Sequence, residues 1–425
     1  MGLNLREDLG QRGGLGPGPV AAASAGYSIA EYISAAIRTP TFMFSAWILI
    51  SLVLYQFGWS TLTSGGLDAR TLALLGVAGM GFLISSFVYR AVRENVSPPQ
   101  LRVTALAILT VYYVAAFWRN GGVPLLQMLR GDVWNVYGFG LPGLQVFALA
   151  LTGYLGVRAF GLFLAERHSW DLFYGFATLT MLAMIASRSA ITYMLFCWFV
   201  LLIRRFRLTL ARGLGLVAVV LVLLFIFGAF GDARLAGQIL GATGQHETVG
   251  RIKQVAHVTG AFEATGLPTQ WLWAYIYLVS PLVNLNSALV YAGPSACGQS
   301  CDISGLVRWE MLPDVVSRHV GWLSSAGALD KSAFLPVKYL TVVTTFGPAI
   351  GYAGMIGAIL VGAILVFVVV LSYTTLRGSL VREEGLAILA CILFFSFFAN
   401  MISYSPLVLQ LALALVHSRH RVRWL

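Results

Sequence analysis

The sequence predicts an all-α polytopic membrane protein with about ten transmembrane helices and one large outer loop. Of its 425 residues, 58% are apolar and only 11% are charged, and the mean hydropathy is +0.80. A soluble domain carries about 25% charged residues. Several charge-free runs approach the roughly 20 residues that span a bilayer core. These observations exclude a soluble globular domain.

The net charge of +11 raises the question of nucleic-acid binding. However, the basic residues lie in short clusters between the apolar runs, which is where Lys and Arg mark the cytoplasmic side of a membrane protein. The net charge therefore indicates how the chain is oriented in the membrane, and we expect no nucleic acid as a partner.

The chain divides into four parts. Residues 1–41 are predicted to be a cytoplasmic tail, 42–231 to hold transmembrane helices 1–7, and 232–345 to be the large outer loop. Residues 346–425 hold transmembrane helices 8–10 and a second cytoplasmic tail. The pattern of Ser28–Arg38 is equally typical of a short interfacial helix and of the start of the first span.

The predicted spans are Phe42–Trp59, Leu72–Tyr89, Val103–Trp118, Leu144–Ala165, Leu172–Ser187, Ile191–Ile203, Gly213–Phe230, Ile350–Tyr373, Gly385–Phe398 and Ile402–Val416. With the N-terminus inside, the cytoplasmic segments hold seventeen arginines, Arg158 being counted among them. The short outer loops hold four, which are Arg70, Arg119, Arg130 and Arg188. This asymmetry predicts that both termini are cytoplasmic and that the large loop faces out.

Two apolar stretches are too short for two full membrane crossings each. Residues 172–203 and 385–416 are 32 residues each, whereas two crossings need roughly 40. We therefore expect two hairpins of short helices that form a recess open to the outside, with Arg188 in the turn of the first.

The large loop contains its own apolar and aromatic segment, Trp271–Leu285, which Pro281 interrupts. We expect a re-entrant or interfacial element that caps the recess. The alternative is an eleventh span, which would move the second half of the loop to the inside.

Arg188 is the strongest single candidate for a functional residue, because an arginine at membrane depth is costly and usually has a purpose. Its planar guanidinium can hold two phosphate oxygens. Arg251, Arg318 and Lys338 of the loop would complete a cation cluster suited to the diphosphate of a membrane lipid. The structural alternatives are a hairpin cap for Arg188 and solvated surface for the others.

A site of this kind also needs a proton acceptor beside the cation cluster. His319 follows Arg318 directly, and a neutral imidazole is a suitable base. His257, Glu310 and Asp314 compete with His319 for the role.

Cys297 and Cys301 lie in the outer loop, where thiols oxidise, so a disulfide is expected. No second ligand pair has the spacing of a metal site. No nucleotide-binding motif is found, so we expect no metal and no cofactor. Cys197 and Cys391 lie within spans and are expected to be inert.

Four segments, taken in order, resemble bacterial oligosaccharide repeat-unit polymerases, the Wzy-like O-antigen polymerases. These are the Gly-Gly-x-Pro-Leu-Leu loop and Pro-Gly-Leu span of Asn120–Leu151, the SRSAI turn at Arg188, YIYLVSPLVNLNSAL (Tyr275–Leu289) and TTFGPAIGYAGMIG (Thr344–Gly357). The resemblance covers roughly residues 110–360. It departs at Gly351–Gly354, where the family often has an Asp before the aromatic residue.

The resemblance implies a metal-independent glycosyltransferase of the GT-C type in the bacterial inner membrane. It would transfer a glycan from undecaprenyl diphosphate to a new lipid-linked repeat unit, with membrane lipids and a chain-length regulator protein as further partners. It implies that Arg188, Arg251 and Arg318 hold the diphosphate and that His319 is the base. The aromatic residues that would stack on sugars, or else anchor the protein at the interface, are Trp271, Trp273, Tyr275, Trp309 and Trp322.

Two other functions compete. An O-antigen ligase shares the architecture, and Gly250-Arg251 resembles it, but the His followed by Asn or Ser is absent because Val320 follows His319. A lipid-linked oligosaccharide flippase or other transporter would show internal repeats, and we find no matching halves. A purely structural membrane scaffold is a further alternative.

Overall fold

The computed structural model describes residues 35–88, 103–130, 138–141, 143–205, 211, 213–215, 217–226, 228–229, 253, 256–293, 301–324, 327–337 and 340–419. These residues form helices and connectors, and their only β-structure is an isolated antiparallel bridge between Ser60 and Val258. The predicted interfacial helix at 28–38 lies mostly outside the described residues.

The longer helices are α1 (Pro40–Tyr55), α2 (Ala69–Val88), α3 (Val103–Arg119), α4 (Leu144–Glu166), α5 (Ser169–Met184), α6 (Arg188–Arg205), α7 (Gly213–Ile226), α8 (Thr269–Ala292), α9 (Phe346–Leu376), α10 (Arg382–Ser396) and α11 (Ser405–Arg419). Helices α2, α4, α8 and α9 are long and apolar enough to cross a membrane. Among the described residues, α1, α3 and α7 are shorter apolar helices, as is most of α11. The expected all-α membrane protein is confirmed at this level, whereas the number of spans stays a prediction.

Helices α1 and α2 define the two ends of the bundle. They are antiparallel, and the Ser45 hydroxyl donates a hydrogen bond to the Gly79 carbonyl (2.8 Å). Ser45 lies ten positions before Tyr55, where α1 ends, and Gly79 lies ten positions after Ala69, where α2 begins. Tyr55 and Ala69 are therefore level with each other, at the end of the bundle that we call the loop end.

The two expected hairpins are present. Helices α5 and α6, of 16 and 18 residues, meet at the turn 185–187. Helices α10 and α11, of 15 residues each, meet at the turn 397–404. We call these the first and second turn. Helix α6 begins at Arg188, three residues before the predicted start.

Contacts of Arg204 show which way the hairpins point. Its guanidinium donates to both carboxylate oxygens of Glu383 (2.7 and 3.1 Å) and to the carbonyl of Arg38. The end of α6 and the starts of α1 and α10 therefore lie together at the end opposite the loop end. It follows that both turns lie at the loop end.

Helix α4 runs through the middle of the bundle, and small residues let its neighbours approach closely. A methyl group on Gly156 would lie 2.6 Å from Thr178 Oγ1 and 2.4 Å from Met194 Sδ. A methyl group on Gly153 would lie 2.5 Å from the Gln410 amide nitrogen. Small residues of this kind allow close helix packing in a membrane, where no hydrophobic force drives helices together.

Helix α8 corrects one expectation. The segment around Pro281 is not broken but forms part of a 24-residue helix. Proline at this position removes an N–H and leaves the carbonyl of residue 277 without its helical partner. The Ser280 hydroxyl donates to that Tyr277 carbonyl instead (3.3 Å), which satisfies it within the helix.

The contacts of α8 place both of its ends at the loop end. Near its start, Tyr275 shares a hydrogen bond with Thr63 in the connector 56–68 (2.8 Å). Past its end, the Gly293 carbonyl accepts from Arg70 at the start of α2 (2.6 Å). These α8 positions are about 27 Å apart along a helix. Helix α8 therefore lies across the loop end, although it is long enough to cross a membrane. The re-entrant or interfacial cap stays a prediction.

Helix α9 is interrupted near its start. Its 31 residues include non-helical Ala353 and Gly354, and Gly354 has φ +56°, which favours glycine. The Tyr352 carbonyl that the break releases accepts from Asp302 N (2.9 Å), and the Tyr352 hydroxyl accepts from Leu329 N (2.7 Å). The break is where the second half of the loop docks onto the bundle.

A buried ion pair joins α4 to α10 away from the loop end. Arg158 is fully buried, and its guanidinium lies 3.7 Å from the carboxylate of Glu384, which is itself buried. Nearby, Tyr154 shares a hydrogen bond with His417 of α11 (2.8 Å). Arg158 was counted among the cytoplasmic arginines, and the structure corrects this by placing it inside the helix bundle.

We expect Glu384→Leu to lower the free energy of unfolding by about 3–5 kcal/mol, because it leaves a buried arginine without its carboxylate. The double variant Arg158→Met/Glu384→Leu should lose less than the single variant. Apparent unfolding temperatures in detergent measure both. Glu263→Leu, which removes the exposed partner of Lys253 (2.9 Å), serves as the control and should change little. A single variant as stable as the control would contradict the importance of the pair.

Candidate functional site

The second half of the loop meets the second turn through a buried carboxylate. Glu310 is 4% exposed and lies in a short π-helical turn, Val307–Met311, a geometry often found at functional sites. The side-chain amide of Asn400 donates to the Glu310 carbonyl (2.7 Å) and to its Oε2 (2.8 Å). The loop is thus fixed to the turn between α10 and α11.

Asn400 uses all of its hydrogen-bonding capacity in this contact. Besides the two donations to Glu310, its Oδ1 accepts from Ile402 N (3.1 Å) and from the Thr345 hydroxyl just before α9 (3.0 Å). An amide that makes four bonds has one fixed orientation. Asn400 therefore ties the loop, the second turn and the start of α9 into one rigid unit.

A second set of bonds attaches the short helix Asp314–Ser317 to the same turn. Asp314 N donates to the Ser403 carbonyl and Val315 N to the Ser405 hydroxyl, both at 2.8 Å. This satisfies two of the N–H groups that a helix start leaves free. The residues that follow this helix, Arg318 and His319, are held beside the second turn as a result.

The start of α6, which carries Arg188, contacts the second turn. Ser189, the next residue, shares a hydrogen bond with the Tyr404 hydroxyl (3.0 Å), and the rings of Tyr193 and Tyr404 pack at 5.3 Å. The side chain of Arg188 is exposed and forms no hydrogen bond or ion pair with the part of the chain that the structure describes. The hairpin-cap alternative is therefore unsupported, and the guanidinium is available to a ligand.

A further cation, Lys331, lies in the same region and was not among the sequence-predicted site residues. Its ammonium lies 3.8 Å from Glu310 Oε1, and 47% of its side chain is exposed. In the sequence it is one of several basic residues in a long polar loop. Only the fold reveals that a buried glutamate faces it.

Two carboxyl groups in this region, those of Glu310 and Asp314, have raised pKa values. Burial raises the pKa of Glu310, an effect that Lys331 and Asn400 oppose. Partial burial also raises the pKa of the Asp314 carboxyl, whereas Arg318 and Lys331 lower it.

His319 is exposed, and its ring orientation is fixed. Its Nδ1 lies 2.8 Å from the Val315 carbonyl. A carbonyl oxygen only accepts, so Nδ1 carries the proton and Nε2 of the neutral ring is a free acceptor. This is the tautomer that a general base requires. By contrast, Glu310 is too buried to reach a substrate proton, while Asp314 remains an accessible competitor.

The other candidate base, His257, lies elsewhere. Its carbonyl accepts from Thr61 N (2.8 Å) in the connector 56–68, near the start of α8. None of its described contacts brings it to the first or second turn.

The predicted sugar-contacting aromatics divide into two groups. Trp322 is 84% exposed, and Trp309 is partly exposed with the Arg308 guanidinium 4.5 Å above its ring. Tyr275 is buried against Trp59, so it cannot present a ring face to a sugar.

The two remaining tryptophans belong to α8. Trp273 is buried, and burial removes it from the sugar-contacting set as it does Tyr275. Trp271 is partly buried and packs near Phe225 of α7 (5.8 Å). These aromatics stabilise helix packing at the loop end.

Arg308 has a structural role that its position in the sequence does not reveal. Its guanidinium donates to the carbonyls of Ser317 (3.1 Å) and Ser324, which closes the segment that carries Arg318 and His319. These two bonds stabilise the conformation of the loop between Ser317 and Ser324.

Three predicted site residues, Arg251, Lys338 and Cys297, lie outside the described residues. Cys301 is disulfide-bonded, and Cys197 and Cys391 are free and buried. Within the described ranges, no group of three or more His, Cys, Asp or Glu side chains could hold a metal ion.

Comparisons with protein-family models, with curated proteins and with solved structures found no match for this chain.

The raised pKa of Glu310 leads to a prediction of how the stability of the fold depends on pH. Because burial raises this pKa above its unfolded value of about 4.3, the neutral carboxyl stabilises the fold at low pH. That contribution is lost as the pH rises through the folded pKa. Relative to wild type, Glu310→Gln should therefore gain in apparent unfolding temperature as the pH is raised from about 4. A relative loss over this range would show that the ionised carboxylate is the stabilising form.

Proposed function

We propose that this protein is a GT-C-type glycosyltransferase that polymerises undecaprenyl-diphosphate-linked oligosaccharide repeat units into a surface polysaccharide such as O-antigen. The observation that carries the proposal is the convergence of accessible groups at the loop end. The elements bearing Arg188 and Arg318 are hydrogen-bonded to the same turn, at Tyr404 and Ser405 respectively. His319 follows Arg318 directly and has a free Nε2.

The proposed orientation places the loop end on the periplasmic face of a bacterial inner membrane and both termini in the cytoplasm. The excess of arginine in the opposite connectors supports it, because positive residues favour the cytoplasmic side. The position of α8 across the loop end also supports it, since both halves of the large loop then share one side. Membrane lipids surround the bundle, and a chain-length regulator protein is a proposed partner.

The proposed reaction is a displacement at the anomeric carbon of the growing glycan. A hydroxyl of the acceptor unit attacks this carbon, and its proton passes to Nε2 of His319. The new C–O bond forms as the bond to undecaprenyl diphosphate breaks and the electron pair leaves with the diphosphate. Arg188 and Arg318 stabilise the charge on the leaving group, as preorganised cations do where charge develops.

Four further residues complete the proposed site. Trp309 and Trp322 offer exposed aromatic surface to the sugars. Arg251 and Lys338 remain proposed diphosphate ligands on sequence grounds. No metal or cofactor takes part in the proposed reaction, because protein cations carry the diphosphate.

A transporter of lipid-linked oligosaccharides is the second candidate, and one observation favours it. Arg158 and Glu384 form an ion pair inside the helix bundle, and ionisable residues in such positions commonly serve transport pathways. A ligase, the third candidate, would use the same loop-end groups but a different acceptor.

Deleting the gene and examining surface glycan by gel electrophoresis distinguishes the three. A polymerase defect leaves the lipid core with a single repeat unit. A core without any glycan would overturn the proposal and indicate a ligase or a transporter. Accumulation of long glycan on the lipid carrier would then single out the ligase.

A further inference from the structure

Lys331 lies on a short segment that the fold holds firmly in place. The turn Lys331–Phe334 is capped by Asp330, whose carboxylate accepts from Ser332 N (2.9 Å) and the Ser332 hydroxyl (2.8 Å). On one side of it Leu329 is bonded to the Tyr352 hydroxyl at the break in α9 (2.7 Å). On the other side Phe334 is buried. The lysine therefore has a defined position.

The carboxylate that pairs with Lys331 is buried, which is unusual for an ion pair of an outer loop. Glu310 Oε2 is already bonded to Asn400, so only Oε1 faces the ammonium, at 3.8 Å. This distance is longer than a hydrogen bond. An ammonium has three donors, and nearly half of the Lys331 side chain is exposed. Glu310 thus orients the lysine and leaves donors free.

Lys331 also stands close to the proposed diphosphate ligands. Lys331 faces Glu310 (3.8 Å), and Asn400 of the second turn holds Glu310 in place. The helix Asp314–Ser317, which precedes Arg318, is bonded to the same turn. The helix that carries Asp314 is bonded to Ser405, next to the residue that Ser189 contacts. An anion bound by Arg318 would therefore lie within the field of the lysine.

We infer that Lys331 is a further ligand of the diphosphate and that Glu310 is the positioning residue that presents it. This inference rests on the proposed function, since it names another contact of the same site. On binding, the phosphate oxygens replace Glu310 Oε1 as the nearest anion to the ammonium, while Asn400 continues to hold Glu310 Oε2. A lysine is suited to this role as a compact point charge.

Titration of the full-length protein in detergent with inorganic pyrophosphate tests the inference. Lys331→Met should weaken binding by about tenfold, which is typical for the loss of one charged hydrogen bond. Lys331→Arg should bind within about threefold of wild type, because it keeps the charge. The matched control is Lys253→Met, which removes the lysine of an exposed pair with Glu263 and should bind as wild type does.

A double variant separates ligand binding from stability. Lys331→Met leaves the buried Glu310 without its cation, so some loss of unfolding temperature is expected. Lys331→Met/Glu310→Gln should restore the unfolding temperature but not the binding of pyrophosphate. Wild-type affinity in either variant would overturn the role of Lys331 while leaving the diphosphate site itself in place. Wild-type protein that binds no pyrophosphate would overturn both.

Discussion

Replacing Arg188 with alanine should abolish chain extension while the protein remains folded in the membrane. The Arg188 side chain is exposed and makes no bond to the described part of the chain, so its loss costs little stability. The proposed reaction, however, loses a cation that stabilises the leaving diphosphate. Loss of one such group typically costs about 10²–10³ in rate. A cell that carries this variant should show single repeat units in place of a ladder.

The control for this experiment is another exposed arginine at the loop end. Arg130 follows the short helix Pro124–Leu129 in a different connector, and Arg130→Ala should leave the ladder unchanged. Arg188→Lys should give an intermediate ladder, because it retains charge without the planar fork. A normal ladder from Arg188→Ala, with the protein present at wild-type level, would remove Arg188 from the site.

Cysteines placed on either side of α8 should react with a membrane-impermeant maleimide from the same face of the membrane. Glu263→Cys precedes the helix and Ala328→Cys follows it, and both positions are exposed. Because the two ends of α8 contact the connector 56–68 and the start of α2, we expect both ends to lie on one face of the membrane. Intact cells with a permeable outer membrane should label both completely.

The opposite face supplies the control. His168→Cys lies between α4 and α5, at the end of the bundle away from the loop, and its position is exposed. It should react only after the inner membrane is opened. Labelling of Glu263→Cys without Ala328→Cys would instead make α8 a true span. It would also put the second half of the loop, with Arg318 and His319, on the cytoplasmic side.

Hydrophobic patterning was sufficient to predict the two short hairpins, because a stretch of 32 residues is too short for two full crossings. Patterning was misleading at Pro281, where a break was expected. The hydroxyl of the preceding serine satisfies the carbonyl that proline frees, and this local compensation is not visible in hydropathy. The break in α9 was also missed, since Gly354 is one of five glycines in the first seventeen residues of that helix.

The candidate site shows a similar division. Arg188 could be selected from the sequence because a charge within an apolar stretch is costly. Lys331 could not, because its importance comes from Glu310 and Asn400, which are 21 and 69 residues away in the sequence. Tyr275 and Trp273 were selected for their aromatic rings, and only packing reveals that they are buried. Long-range contacts decide these roles.

Reconstitution tests the central claim most directly. Lipid-linked repeat units extracted from the deletion strain would be incubated with the purified protein in liposomes, with EDTA present and no nucleotide. We predict glycans of increasing length on the lipid carrier and the release of one undecaprenyl diphosphate for each unit joined. Units that stay single under these conditions, with folded protein confirmed in the same liposomes, would contradict the claim that this protein is a polymerase.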